Sequence, residues 1–222
     1  MAPAPADISR ILLRPVATPL PLGFLALAAA TSEVSAVQLG WVPMSEAKFI
    51  GLALLVAVAP LQLLCAILGY LARDPVAATG MGVLAGTWAV IGAAWHGSGA
   101  SPTPVLGTIL IIGAGSLLVP IAAGLSGKVI AGLVMLGAAA RFALTAAFEL
   151  GISPTVDTAA GWLGIALAVL AWYAAMALEV EALHQKAVLP TFRVGAAKRA
   201  MSSSLADEID VVGNEPGVRQ QL

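Results

Sequence analysis

Arg141 carries the strongest chemical demand in this 222-residue chain, because it lies midway along a hydrophobic run. A charged side chain at the centre of a membrane-spanning helix costs about 2.5–3.5 kcal/mol, so it needs a partner or water. Gly137, Thr145 and Glu149 share its helical stripe by four-residue spacing, which turns its head toward a bundle interior. Two chemistries fit. One is a buried cation on a water-filled path that attracts a carboxylate. The other is a structural charge paired with backbone carbonyls or with a carboxylate on another helix, for which Glu33 is the candidate.

Glu33 sits in a polar patch, Thr31-Ser32-Glu33-Val34-Ser35 with Gln38, in the outer half of the first span. There it can gate an outer vestibule or take up a proton, or it can be a carboxylate already at the water interface. Gln62, neutral and cheap to bury, can donate and accept toward a substrate oxygen or bond a neighbouring helix. His96 ends the third span, where a near-neutral titration can sense pH or simply face solvent. Glu179, Glu181, His184 and Lys186 read as a solvated helix end. No nucleophile elbow, phosphate loop or metal-ligand spacing occurs, so neither an enzyme nor a cofactor nor a metal is expected.

The elements that position these groups follow from composition. With 59% hydrophobic and 10% charged residues and a mean hydropathy of +0.95, the chain cannot cover a soluble domain with polar surface. A span needs about 20 apolar residues, so an all-α integral membrane protein of six transmembrane helices is expected. Breaks at Pro43, at Arg73-Asp74-Pro75, at Gly97-Ser98-Gly99, at Ser126-Gly127-Lys128 and over 151–157 place the spans near 22–42, 47–72, 76–96, 103–125, 128–150 and 159–183. Basic residues gather before the first span, in the even-numbered loops and after the sixth, so both termini are expected in the cytoplasm. A net charge of −1 gives no basis for binding nucleic acid, and the single cysteine, Cys65, excludes an intrachain disulfide.

Trp41, Trp95 and Trp162 fall near predicted outer ends and Tyr70 near an inner one, as an aromatic belt requires; Trp172 lies mid-span. Glycines 80, 82, 86, 113, 115, 132 and 137 permit close helix contact within the bundle or between protomers. Residues 1–17 read as a cytoplasmic segment retained rather than cleaved, 18–191 as the membrane domain, and 192–222 as a disordered cytoplasmic tail. At the start of the domain, Pro19 and Pro21 cannot both occupy a helix interior, so this stretch is expected as non-helical backbone or as a first helical turn.

That opening, Thr18-Pro19-Leu20-Pro21-Leu22-Gly23, resembles the Asn-Pro-x-Pro-Leu-Gly signature of the acetate uptake transporter family, the succinate-acetate permeases. A longer match closes the domain: Ala160-Gly161-Trp162-Leu163-Gly164, Tyr173, Ala175-Met176 and Val188-Leu189-Pro190 in one ungapped register, with Gln62, Tyr70, Trp88 and Phe142-Ala143-Leu144 between. The resemblance covers residues 17 to 191. It implies a hexamer of six-helix protomers in the plasma membrane, each passing acetate and in some members succinate, by proton symport or channel-like passage. Thr18, Pro19, Pro21, Leu22, Gly23, Gln62 and Tyr70 would belong to the pathway and its motif. Thr18 replaces the signature asparagine. The family's aromatic, tyrosine and leucine constriction falls on Leu27, Leu84 and Ala138, so a wider and drier passage is expected, and Arg141 lies outside the family pattern.

Small-monocarboxylate transport, with acetate foremost, is the leading expectation. A channel for a small neutral or amine solute such as urea or ammonia is one alternative, and a non-transporting membrane protein that recruits a partner through its tail is another.

Overall fold

A computed structural model describes residues 16–184, 186–199 and 201. Six helices are long and apolar enough to cross a membrane: α1 Leu20–Gln38, α2 Met44–Leu71, α3 Pro75–Ser98, α4 Pro104–Leu125, α5 Val129–Glu149 and α6 Thr155–His184. A short α7, Gly195–Arg199, follows. The termini predicted as 1–17 and 192–222 lie largely outside the described residues.

The starts of the helices are chemically specified. Pro19 caps α1 and Pro21 occupies its first turn, where a missing N–H costs nothing, and Gly23 N–H already donates to Pro19 O at 3.1 Å. The first-turn alternative is therefore the one adopted. Asp74 opens α3 by accepting from Ala77 N–H at 3.1 Å, and Thr103 opens α4 by accepting from Leu106 N–H at 3.2 Å.

Two spans are not continuous α-helices. In α2 a π-helical stretch, Leu54–Val58, stands just before Pro60. The proline has no N–H and its ring collides with the carbonyl four residues back, and the wider turn absorbs both problems. In α4 the helix breaks between Ser116 and Leu118, one turn ahead of Pro120, for the same reason.

In packing, α1 lies most extensively against α6, α2 against α3, and α4 against α5, with α5 joining α6. Close approach of α2 and α3 depends on Gly51 and Gly92: a Cβ on Gly51 would lie 2.7 Å from Gly92 O, and one on Gly92 would lie 2.8 Å from Gly51 O. Of the glycines expected to pack, Gly80, Gly113, Gly132 and Gly137 each face a neighbouring element, whereas Gly86 and Gly115 face open space on the protomer surface. Around the perimeter, Leu25, Phe49, Ile67, Val105, Ile112 and Val169 are exposed, an apolar surface of the kind a bilayer covers.

The aromatic belt is only partly as expected. Trp41 and Trp162 are exposed and meet edge to face at 5.7 Å between centroids, and Tyr70 is exposed. Trp95 is not part of the belt: it is buried in the core, because its helix turns that face onto the interior. Trp172, anomalous by position, faces outward. The first residues assigned to the tail are held against the bundle. Thr191 O accepts from Ile130 N–H at 3.5 Å, Val194 N–H donates to Gly127 O at 2.9 Å, and Lys128 pairs with Arg193 as an isolated bridge. Residues 191–194 thus lie on the loop between α4 and α5.

Candidate functional site

Inside the bundle, Arg141 of α5 is fully buried. Its Nη2 donates to Gln38 Oε1 of α1 at 2.9 Å, and Gln38 Nε2 in turn donates to Asp157 Oδ1 of α6 at 2.7 Å and approaches Thr145 Oγ1 at 3.5 Å. The guanidinium also stands over the Trp88 ring of α3, 5.5 Å from its centroid, and Phe142 meets the same indole edge to face at 5.3 Å. Four spans therefore converge on one cation.

The direct partner is a neutral amide, and donor capacity is left over. Among the described residues, Arg141 Nε and Nη1, Ser35 Oγ and Trp88 Nε1 are buried without a hydrogen-bond partner. In a low-dielectric interior such groups are costly, and native structures rarely retain them without a role. Gly164 of α6 is what lets them come together. A Cβ there would lie 2.5 Å from Arg141 Nε and 3.0 Å from Thr31 Oγ1, and closer still to Ser35 Oγ. Thr31 Oγ1 donates to Gly164 O at 3.3 Å.

The expected Glu33–Arg141 pairing is not formed. Thr31, Ser35 and Gln38 recur at helical spacing and make the interior stripe of α1. Glu33 stands about 200° around the helix from Ser35 at about 100° per residue, and its Oε2 is buried without a partner. Ser35, Gln38, Asp157 and Gly164 are site residues that sequence reasoning left without this role; the four-residue stripe through Thr31 and Ser35 was the available signal.

The three aliphatic positions, Leu27, Leu84 and Ala138, are all buried in the core. Each lies one helical turn before a member of the polar cluster on the same helix: Leu27 before Thr31, Leu84 before Trp88, Ala138 before Arg141. Since α1, α3 and α5 run in the same direction, an aliphatic layer lies beneath the cation, about 5 Å nearer the terminal end. Gln62 is buried and its Nε2 donates to Gly23 O at 3.4 Å, which joins α2 to the two-proline segment. Pro19, Pro21 and Gly23 are buried, whereas Leu22 and Tyr70 point outward from the protomer.

At the terminal end, Thr18 lines a cavity of about 330 Å³ with Lys128, Leu178, Glu181 and Arg193. Its charges are paired: Lys128 with Asp74, and Arg193 with Glu181, which also accepts from Thr191 Oγ1 at 2.8 Å. At the far end, Glu149 accepts from Thr103 N–H at 2.6 Å and His96 Nδ1 lies 3.2 Å from Lys48 O. No group of three or more metal-ligating side chains occurs among the described residues.

These helices, with a charged and hydrogen-bonding interior inside an apolar shell, define a six-span membrane bundle. The fold is that of a solved membrane channel. The chain matches the structure of the bacterial acetate channel SatP with a TM-score of 0.70 at 21% sequence identity, over 79% of this chain and 99% of that one. No protein-family model matches the chain, and no curated protein sequence matches it.

Proposed function

We propose that this protein passes small monocarboxylates, acetate foremost, across a membrane, by permease or channel-like movement. The observation that carries the reading is the buried guanidinium of Arg141 with unpartnered N–H groups, inside a fold shared along its length with an acetate channel. Leu27, Leu84 and Ala138 form the narrow part, and the buried Pro19, Pro21 and Gly23 shape the mouth at the terminal end. By the excess of basic residues in the even-numbered loops, that mouth faces the cytoplasm of a plasma-membrane protein. Open glycine faces at Gly86 and Gly115 support assembly with further copies. A fixed interior cation repels ammonium and other protonated amines, which disfavours the amine-channel alternative.

Uptake of labelled acetate into proteoliposomes tests the reading, with wild type compared against Ala138→Phe. Flux above that of empty vesicles, reduced by the bulky ring, is expected. No flux above empty vesicles overturns transport, and equal flux in the two proteins overturns the constriction.

A further inference from the structure

We infer that Arg141, with Ser35 and the indole N–H of Trp88, is a recognition site for a single carboxylate whose short alkyl tail points down into the Leu27–Leu84–Ala138 layer. The inference rests on the transport reading above and specifies its cargo: a monocarboxylate anion with a small apolar end, and not a dicarboxylate.

The donor inventory is one-sided. Guanidinium nitrogens only donate, an indole N–H only donates, and a hydroxyl can donate as well as accept. Arg141 Nε and Nη1, Trp88 Nε1 and Ser35 Oγ have no partner among the described residues, although all three side chains are buried to within one per cent of completely. Unfilled donors gathered about a fixed positive charge select an anionic acceptor, and the planar fork of arginine suits two carboxylate oxygens.

The surroundings set the rest of the ligand. Gly164 lets Arg141 Nε and Ser35 Oγ close on the α6 backbone together, where any Cβ at that position would collide with both. One turn toward the terminal end, the aliphatic layer has nothing to offer a second charge, so a dicarboxylate would bury an unpaired carboxylate there. On the other side, Gln38 already gives its amide oxygen to Arg141 Nη2 and is itself held by Asp157. An arriving carboxylate thus meets a guanidinium balanced through an amide instead of neutralised by direct ion pairing.

Equilibrium binding of labelled acetate to the purified full chain in detergent, measured apart from flux, is the test. Wild type should bind acetate, with competition by propionate and none by succinate or by the neutral isostere acetamide. Arg141→Gln should weaken binding on the order of 30-fold or more. Arg141→Lys, which keeps the charge and loses the fork, should weaken it about tenfold, and Ser35→Ala, which removes a single oxygen, about fivefold. Unchanged affinity in Arg141→Lys and Ser35→Ala overturns the site, as does equal competition by acetamide or succinate. Binding with this profile but without vesicle flux leaves the site standing and overturns transport; flux indifferent to Arg141 does the reverse.

Discussion

The chain places charge in two regions and handles it differently. At the terminal end, Lys128 meets Asp74 and Arg193 meets Glu181, cation directly on carboxylate, with Thr191 filling a further acceptor position. The first pair fastens the loop between α4 and α5 to the start of α3, and the second fastens the segment after α6 back onto that helix. In the interior, Arg141 meets an amide first and a carboxylate only through it, while other donors stay unfilled. Direct pairing gives a fixed joint. The interposed amide leaves a cation whose charge is still available, which is what recognition of a passing anion needs.

The contrast is sharpest if the interior charge is removed. Arg141→Met should lower acetate flux on the order of 100-fold, yet leave thermal stability in detergent unchanged or raised, since an apolar residue of similar volume often replaces a buried charge without loss. A large fall in melting temperature with flux retained would make the interior cation structural, like those at the terminal end. Next in size is Arg193→Ala, expected to destabilise the fold by about 1–2 kcal/mol in a thermal or denaturant titration; the figure is set below that for a fully buried pair because Arg193 is partly exposed. Asp157→Asn keeps an acceptor for Gln38 but removes the charge behind it, so acetate should bind roughly fivefold more tightly in the detergent assay. Weaker binding would show that Asp157 supports the site instead of competing with the anion. The smallest effect belongs to Asp74→Asn, which retains the α3 cap and loses the Lys128 pair, at about 0.5–1 kcal/mol of stability.

Much of this was legible from residue order. Hydropathy and the Gly, Pro and charged breaks located six spans to within a few residues, because a bilayer imposes length and apolarity on each span separately. The inward aim of Arg141 followed from the stripe through Thr145 and Glu149, both buried. Its partner did not follow, since pairing across helices depends on rotation and depth, which hydropathy leaves open. Glu33 offered the right charge on the wrong face, while Gln38 offered the right face with no charge to attract notice. Asp157 was read as part of a loop, but α6 begins at Thr155 and brings that carboxylate within hydrogen-bond reach of Gln38. The broken geometry of α2 and α4 was signalled by Pro60 and Pro120, residues that hydropathy averages over.

The prolines that open α1 have an electrical consequence. A helix N-terminus ordinarily presents several free N–H groups and attracts anions. Here Pro19 at the cap and Pro21 in the first turn have none to present, which leaves the N–H groups of Leu20 and Leu22. The threshold on that side therefore offers an anion fewer backbone donors than a helix start usually does. A carboxylate passing as proposed would thus find little on α1 to detain it on its way to the terminal end, and its dwell time there would be set by the guanidinium behind it.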